Sequence, residues 1–169
     1  MSRTVPSGAK FDAARWLALL VPAVLLAGAL GSQFIGGLYP CEMCHWQRWP
    51  HYAALALAAL AFVPALPGRL LVGLAALAIA VSGAIGVFHA GVEYHWWEGL
   101  TTCSSTLAGQ GGSTDEILAR IMNAPIVRCD APQWTLWGVS LAGFNALFSL
   151  AGALAIAVLL VRSGREVRV

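Results

Sequence analysis

Four cysteines are the residues of this chain best suited to chemistry, and they form two unlike pairs. Cys41 and Cys44 stand in Pro40-Cys41-Glu42-Met43-Cys44-His45. A bridge between them closes a tiny loop, and stabilisation by a disulfide grows with loop size. As a staple it achieves little. Cys-x-x-Cys is instead the spacing of redox dithiols, in which one thiol attacks and the other resolves. Cys103 and Cys129 enclose 25 residues, and a bridge there gains about 3 to 4 kcal/mol in the entropic account. For that pair a structural staple and a shuttle disulfide, exchanging with partner thiols, are both open. Arg48 follows Cys44 by one helical turn, on the same face if the next helix starts early. A guanidinium there favours the reactive thiolate; the plain alternative is an arginine snorkelling to the headgroups.

Two rival chemistries share these residues. Cys41-Glu42-Met43-Cys44-His45 also fits the Cys-x-x-Cys-His pattern of covalent c-type haem attachment. A membrane-anchored haem electron carrier is therefore the alternative, but the first loop has too few residues to wrap a macrocycle. Four cysteines also match a zinc ligand count, yet the wide spacing of the later two is unlike compact zinc modules. No metal is expected. His89 reads either as an interfacial histidine or as a hydrogen-bond donor to a bound molecule. Asn145, inside an apolar run, is expected to bond between helices, while His45, His51 and His95 carry no signal.

These residues must be positioned by a membrane fold. The chain is 169 residues long, 59% hydrophobic and 11% charged, with mean hydropathy +0.73. A soluble domain is about a quarter charged, and one this small cannot bury so much apolar surface. A net charge of +2, scattered along the chain, gives no footprint for nucleic acid. Four stretches approach the roughly 20 apolar residues that cross a bilayer: about 16–35, 49–66, 70–89 and 134–161. The expected fold is an all-α membrane protein, a single domain built as a four-transmembrane-helix bundle. The basic start and Ala27-Gly28-Ala29 also fit a signal peptide, but the apolar run reaches Ile35, longer than such a segment needs.

Charge sets the orientation. Arg3, Lys10, Arg15, Arg69, Arg162, Arg165 and Arg168 fall on one side, against Arg48, Arg120 and Arg128 on the other. The basic side is cytoplasmic by the positive-inside rule, so both termini are expected there. The loops 36–48 and 90–133, with all four cysteines, then face an oxidising space where disulfides persist. Tryptophans 16, 46, 49, 96, 97, 134 and 137 lie near span ends, as an aromatic belt requires. In the long loop, Gly109-Gln110-Gly111-Gly112 reads as a hinge. Ser113 and Glu116 form a capping box for a short amphipathic helix, about 114–122, suited to the membrane surface.

Three segments carry a resemblance: Tyr39-Pro40-Cys41-Glu42-Met43-Cys44-His45-Trp46-Gln47-Arg48, Phe88-His89-Ala90-Gly91-Val92-Glu93 leading to Cys103, and Cys129-Asp130-Ala131-Pro132-Gln133-Trp134. Together they resemble the DsbB family, over nearly the whole chain. Vitamin K epoxide reductase relatives share the logic but place Cys-x-x-Cys late. The resemblance implies a multi-pass protein of the bacterial inner membrane. In it the Cys103–Cys129 disulfide reoxidises a periplasmic DsbA-like thioredoxin-fold oxidase through a mixed disulfide at Cys103. Electrons then pass to Cys41–Cys44 and on to a membrane quinone, ubiquinone or menaquinone, beside Arg48 and His89. Glu42-Met43 and His45 depart from the apolar residues of better-known members, which leaves open a paralogue dedicated to one partner.

Overall fold

Apolar runs set most of the architecture. The computed structural model describes residues 7–99, 113–115 and 127–165. Cys103 and nearly all of the expected short helix 114–122 lie outside them; of that helix only Thr114 and Asp115 are described, both helical. Four long helices form: α1 (Ser7–Phe34), α2 (Glu42–Leu60), α3 (Gly68–Glu93) and α4 (Leu141–Arg165). They pack as a ring in which α1 and α3 each touch α2 and α4, and meet each other little across the middle. α1, α3 and α4 are each long and apolar enough to cross a membrane. The chain is thus a helical membrane protein. α2 is the exception, because its first turns carry Glu42, His45, Gln47, Arg48 and His51. Of these, Gln47, Arg48 and His51 line the site, while Glu42 and His45 are exposed.

Two boundaries beside the cysteines differ from the sequence reading. α2 begins at Glu42, inside the expected loop 36–48, so Cys44 and Arg48 are helical. The fourth helix begins at Leu141 rather than near 134, because β1 (Thr135–Leu136) pairs antiparallel with β2 (Val139–Ser140) just before it. The hairpin turns on Trp137 and Gly138, both at positive φ. Two such residues in succession make the turn whose twist suits a two-residue hairpin. Glycine takes that backbone freely; a tryptophan seldom does, which hides the turn from the sequence.

Small residues let the helices approach. The packed end of the bundle is made by Ala14, Ala18, Ala54, Ala58, Ala75, Val72, Ile79 and Ile156. Along α3, a methyl group at Gly86 would sit 3.0 Å from the Ala146 amide nitrogen, so α3 and α4 meet backbone to backbone. Van der Waals packing of this kind drives helix association where lipid removes the hydrophobic drive. α3 ends in a Schellman turn: His95 takes positive φ, and the Trp96 amide returns to the Gly91 carbonyl at 2.8 Å. That reversal folds Trp97 back over Gly91, with its indole donating to the Phe88 carbonyl at 2.9 Å. The reversal closes one end of the bundle over the cysteines.

Candidate functional site

The Cys-x-x-Cys pair is placed by the start of α2. Cys41 is its N-cap, in extended conformation after Pro40, and its sulfur accepts the Cys44 amide N–H at 3.2 Å. A thiol at a helix N-terminus sits in the positive end of the backbone dipole. The two sulfurs lie 2.6 Å apart, ahead of the apolar stretch that starts near Trp49. Their environments differ. Cys41 is buried and Cys44 only half-buried, facing a cavity. Their mutual hydrogen bond, with burial second, pushes the Cys41 thiol far up. The same bond pulls Cys44 below its ordinary value, aided by the Arg48 charge and opposed by burial and Glu93. Of the two, Cys44 is the thiol that ionises more readily. Of the three residues that depart from the resemblance, Met43 is fully buried beside Cys41, Val92 and Cys129, whereas Glu42 and His45 are exposed.

Arg48 does not snorkel outward. Its guanidinium donates to the Gln33 side-chain oxygen at 2.5 Å and to the Ala29 carbonyl at 3.0 Å, both on α1. It lines the same cavity as Cys44. His89 is buried on α3, with Nε2 3.5 Å from the Cys41 sulfur and 3.8 Å from Glu93 Oε1, while Nδ1 accepts from the Gln47 amide at 2.7 Å. The Ser140 hydroxyl, at the end of β2, donates to the other oxygen of Glu93. Tyr94 knots this corner: its hydroxyl donates to the Gly138 carbonyl and accepts the Ser140 amide.

The loop that leads back into the hairpin brings in Cys129. It is buried, and its sulfur, the Cys41 sulfur and an imidazole nitrogen of His89 all lie within 4.8 Å of one another. Gln133 fastens this segment to the first loop by donating to the Tyr39 carbonyl at 2.7 Å. Beside Cys129, the Arg128 fork holds the Asp130 carboxyl down at about 2. One member of each cysteine pair is thus packed against the other pair's territory, although they are 88 positions apart in the chain.

Asn145 bonds between helices as its sequence setting implies. Its amide donates to Gln47 Oε1 at 2.8 Å and to the Ser82 carbonyl, and its oxygen accepts from His51 at 2.9 Å. Ser149 extends the network on α4. Gln47, His51, Ser82, Glu93, Ser140 and Ser149 were not singled out from sequence. A signal existed: 44, 47, 48 and 51 share one face of α2, as 82, 89 and 93 do on α3 and 145 and 149 on α4. Polar residues recurring on one face of a membrane helix face the bundle interior and mark function.

Between α1, α2 and α4 these side chains border a cavity of about 410 Å³. Leu25 and Gly28 of α1 and Phe144 and Phe148 of α4 form apolar walls, with Cys44 and Arg48 at the polar end. A cavity of this size and lining suits a flat apolar ring with a few polar contacts.

Relatives point the same way. Residues 12–159 match the family model described as disulfide bond formation protein DsbB. Disulfide bond formation protein B of Acidovorax sp. (strain JS42) is 30% identical, covering 89% of this chain and 89% of its own. The protein of that name from Chromohalobacter salexigens is also 30% identical, covering 80% and 88%. An uncharacterized protein of Rickettsia prowazekii is 23% identical over 78% and 77%. No solved structure matches. A match of this length, on a helical bundle that holds a Cys-x-x-Cys dithiol at one end, makes the chain a member of the DsbB family of membrane disulfide oxidoreductases.

Proposed function

We propose that this protein reoxidises a periplasmic thioredoxin-fold dithiol oxidase of the DsbA kind and delivers the electrons to a membrane quinone, ubiquinone or menaquinone. The observation that carries this reading is the apolar cavity that meets the Cys44 sulfur and the Arg48 guanidinium at one end. Its walls fit an isoprenoid-bearing ring, and its polar end offers donors where a carbonyl oxygen would sit. A quinone bound there supplies a two-electron, two-proton acceptor.

The chain's own residues do the rest. Cys103 accepts attack by a partner thiolate, forming a mixed disulfide and releasing Cys129. The partner's second thiol displaces Cys103, so the partner leaves oxidised and Cys103–Cys129 is a dithiol. That dithiol reduces the Cys41–Cys44 disulfide by exchange, for which the burial of Cys129 near Cys41 provides the contact. Cys44, as thiolate, then faces the acceptor while Cys41 holds the proton. As the 41–44 bond re-forms, two electrons and the Cys41 proton leave the pair; the Cys44 proton has already gone to solvent, and solvent supplies the second proton that the acceptor takes up. Arg48 orients the acceptor oxygen and stabilises negative charge on it. His89 Nε2 stands 3.5 Å from the Cys41 sulfur and 3.8 Å from Glu93 Oε1, so the imidazole takes the departing proton from the thiol and the carboxylate lies beside it. Both termini are cytoplasmic in this scheme, with four spans in the inner membrane and both cysteine pairs periplasmic.

The test is anaerobic. Purified protein in lipid nanodiscs is mixed with a reduced thioredoxin-fold dithiol protein and a short-chain quinone. Loss of quinone absorbance, matched one to one by partner disulfide, is expected. No quinone loss above the protein-free rate sinks the proposal.

A further inference from the structure

Cys41, His89 and Cys129 come from three separate segments: the N-cap of α2, the last turns of α3 and the loop before β1. All three are buried, and their sulfur and nitrogen atoms lie within 4.8 Å of one another. Two thiols and an imidazole at such separations are a familiar donor set for a borderline-soft, tetrahedral cation. We propose that the fully reduced protein binds one Zn²⁺ ion through Cys41, His89 and Cys129, which holds it in an inactive state.

The dimensions fit. Zinc bonds of about 2.3 Å to sulfur and 2.0 to 2.1 Å to nitrogen put ligand atoms about 3.5 to 3.8 Å apart around a tetrahedron. The Cys41 sulfur and His89 Nε2 already stand at 3.5 Å, so only Cys129 needs to close in, by about 1 Å at most. Cys44 stands outside this set: it is half-buried and lines the cavity with Arg48, whereas the three ligands are all buried. Glu93, with Oε1 3.8 Å from Nε2, or a water completes the shell. Coordination through Nε2 puts the ring proton on Nδ1, which faces the Gln47 amide at 2.7 Å. Presenting the Gln47 oxygen there, the second-shell acceptor that zinc-bound histidines use, takes a joint half-turn of Gln47 and of Asn145, whose amide now donates to Gln47 Oε1. The His51 proton then moves to its unpartnered Nδ1.

The chemistry balances without any redox change. Two thiols give up two protons, the ion takes two thiolates and one neutral imidazole, and no electron moves. A bound ion occupies the sulfurs that both exchange reactions need, so neither the Cys41–Cys44 nor the Cys103–Cys129 bond can form. The site exists only when both pairs are reduced. It therefore answers to the state of the thiols and not to which acceptor fills the cavity.

Cobalt(II) reports the ligands optically, independently of any turnover. Fully reduced protein in nanodiscs is titrated anaerobically with Co²⁺, followed by displacement with Zn²⁺. Expected are one ion per chain, visible bands of tetrahedral intensity with a sulfur-to-cobalt band in the near ultraviolet, and their loss on adding zinc. Cys129→Ser and His89→Ala should each lose the tetrahedral spectrum, whereas Cys44→Ser should keep it. Gln47→Leu, which leaves all three ligands in place, should weaken binding about ten- to a hundredfold. No tetrahedral spectrum in the unaltered reduced protein overturns the proposal. So does a spectrum that survives Cys129→Ser but vanishes in Cys44→Ser, which assigns the ion to the Cys-x-x-Cys pair. A spectrum that persists after both pairs are oxidised also overturns it. Because no quinone is present, none of these results bears on the proposed electron acceptor.

Discussion

Replacing Arg48 separates the cavity's chemistry from the bundle's packing. The guanidinium makes two bonds to α1, to Gln33 and to the Ala29 carbonyl, and has five N–H donors in all. Three are left for the cavity. A hydrogen bond from a charged group contributes roughly 1.5 to 3 kcal/mol, so Arg48→Ala should lower the stability of the α1–α2 contact by about that much for each bond lost. The same interval at the acceptor oxygen is about ten- to a hundredfold in apparent quinone KM. Arg48→Lys is the sharper variant. An ammonium is a compact, strongly hydrated point charge without the planar fork, so it keeps one α1 contact and cannot also address an acceptor. We expect Arg48→Lys to lose less stability than Arg48→Ala while still raising quinone KM about tenfold, with the partner-protein KM unchanged. Steady-state kinetics with each substrate varied separately, beside thermal melts in the same lipid, resolve the two effects. Equal loss in both KM values, or unchanged quinone kinetics in Arg48→Ala, refutes the assignment and leaves Arg48 as a helix clamp.

Two further outcomes follow from the geometry. Cys44 sits below the ordinary thiol value and Cys41 above it, so iodoacetamide should modify Cys44 of the reduced protein with a midpoint below about pH 8.5. Cys41 should stay unreactive until well above it, and mass spectrometry of the modified peptide identifies which sulfur reacted at each pH. Asn145→Leu removes contacts to Gln47, His51 and Ser82 on two other helices; at about 0.6 kcal/mol each in a membrane bundle, about 2 kcal/mol of stability should go, measurable by unfolding in mixed detergent, and an unchanged midpoint means the network is dispensable.

The apolar runs of α1 and α3 were legible because lipid imposes one rule on every face of a spanning helix. α2 was harder to bound, since Glu42, His45, Gln47, Arg48 and His51 interrupt its first turns with polar groups and make them look like loop by hydropathy. The hairpin before α4 was invisible, because Trp137 occupies a backbone region that its residue type does not advertise. At the site, Cys41, Cys44 and Arg48 were readable from spacing within one segment. The partners of Arg48 on α1, the Glu93–Ser140 bond and the meeting of Cys129 with Cys41 were not. Each joins residues far apart in the chain, and periodicity describes a single helix, never its neighbour.

The walls of the cavity include Val24 and Gly28 on α1 and Phe148 on α4, all of which are exposed on the outside of the bundle. In a membrane that side is the acyl-chain layer, so the mouth opens into oil. A substrate that enters there is dosed per lipid molecule and not per litre of buffer. Adding more empty detergent micelles or lipid at a fixed total amount of that substrate dilutes it in two dimensions and should slow turnover, whereas concentrating the whole suspension, with the soluble partner already saturating, should not speed it. For a protein with two substrates on opposite sides of a phase boundary, one Michaelis constant belongs on a molar scale and the other on a mole-fraction scale.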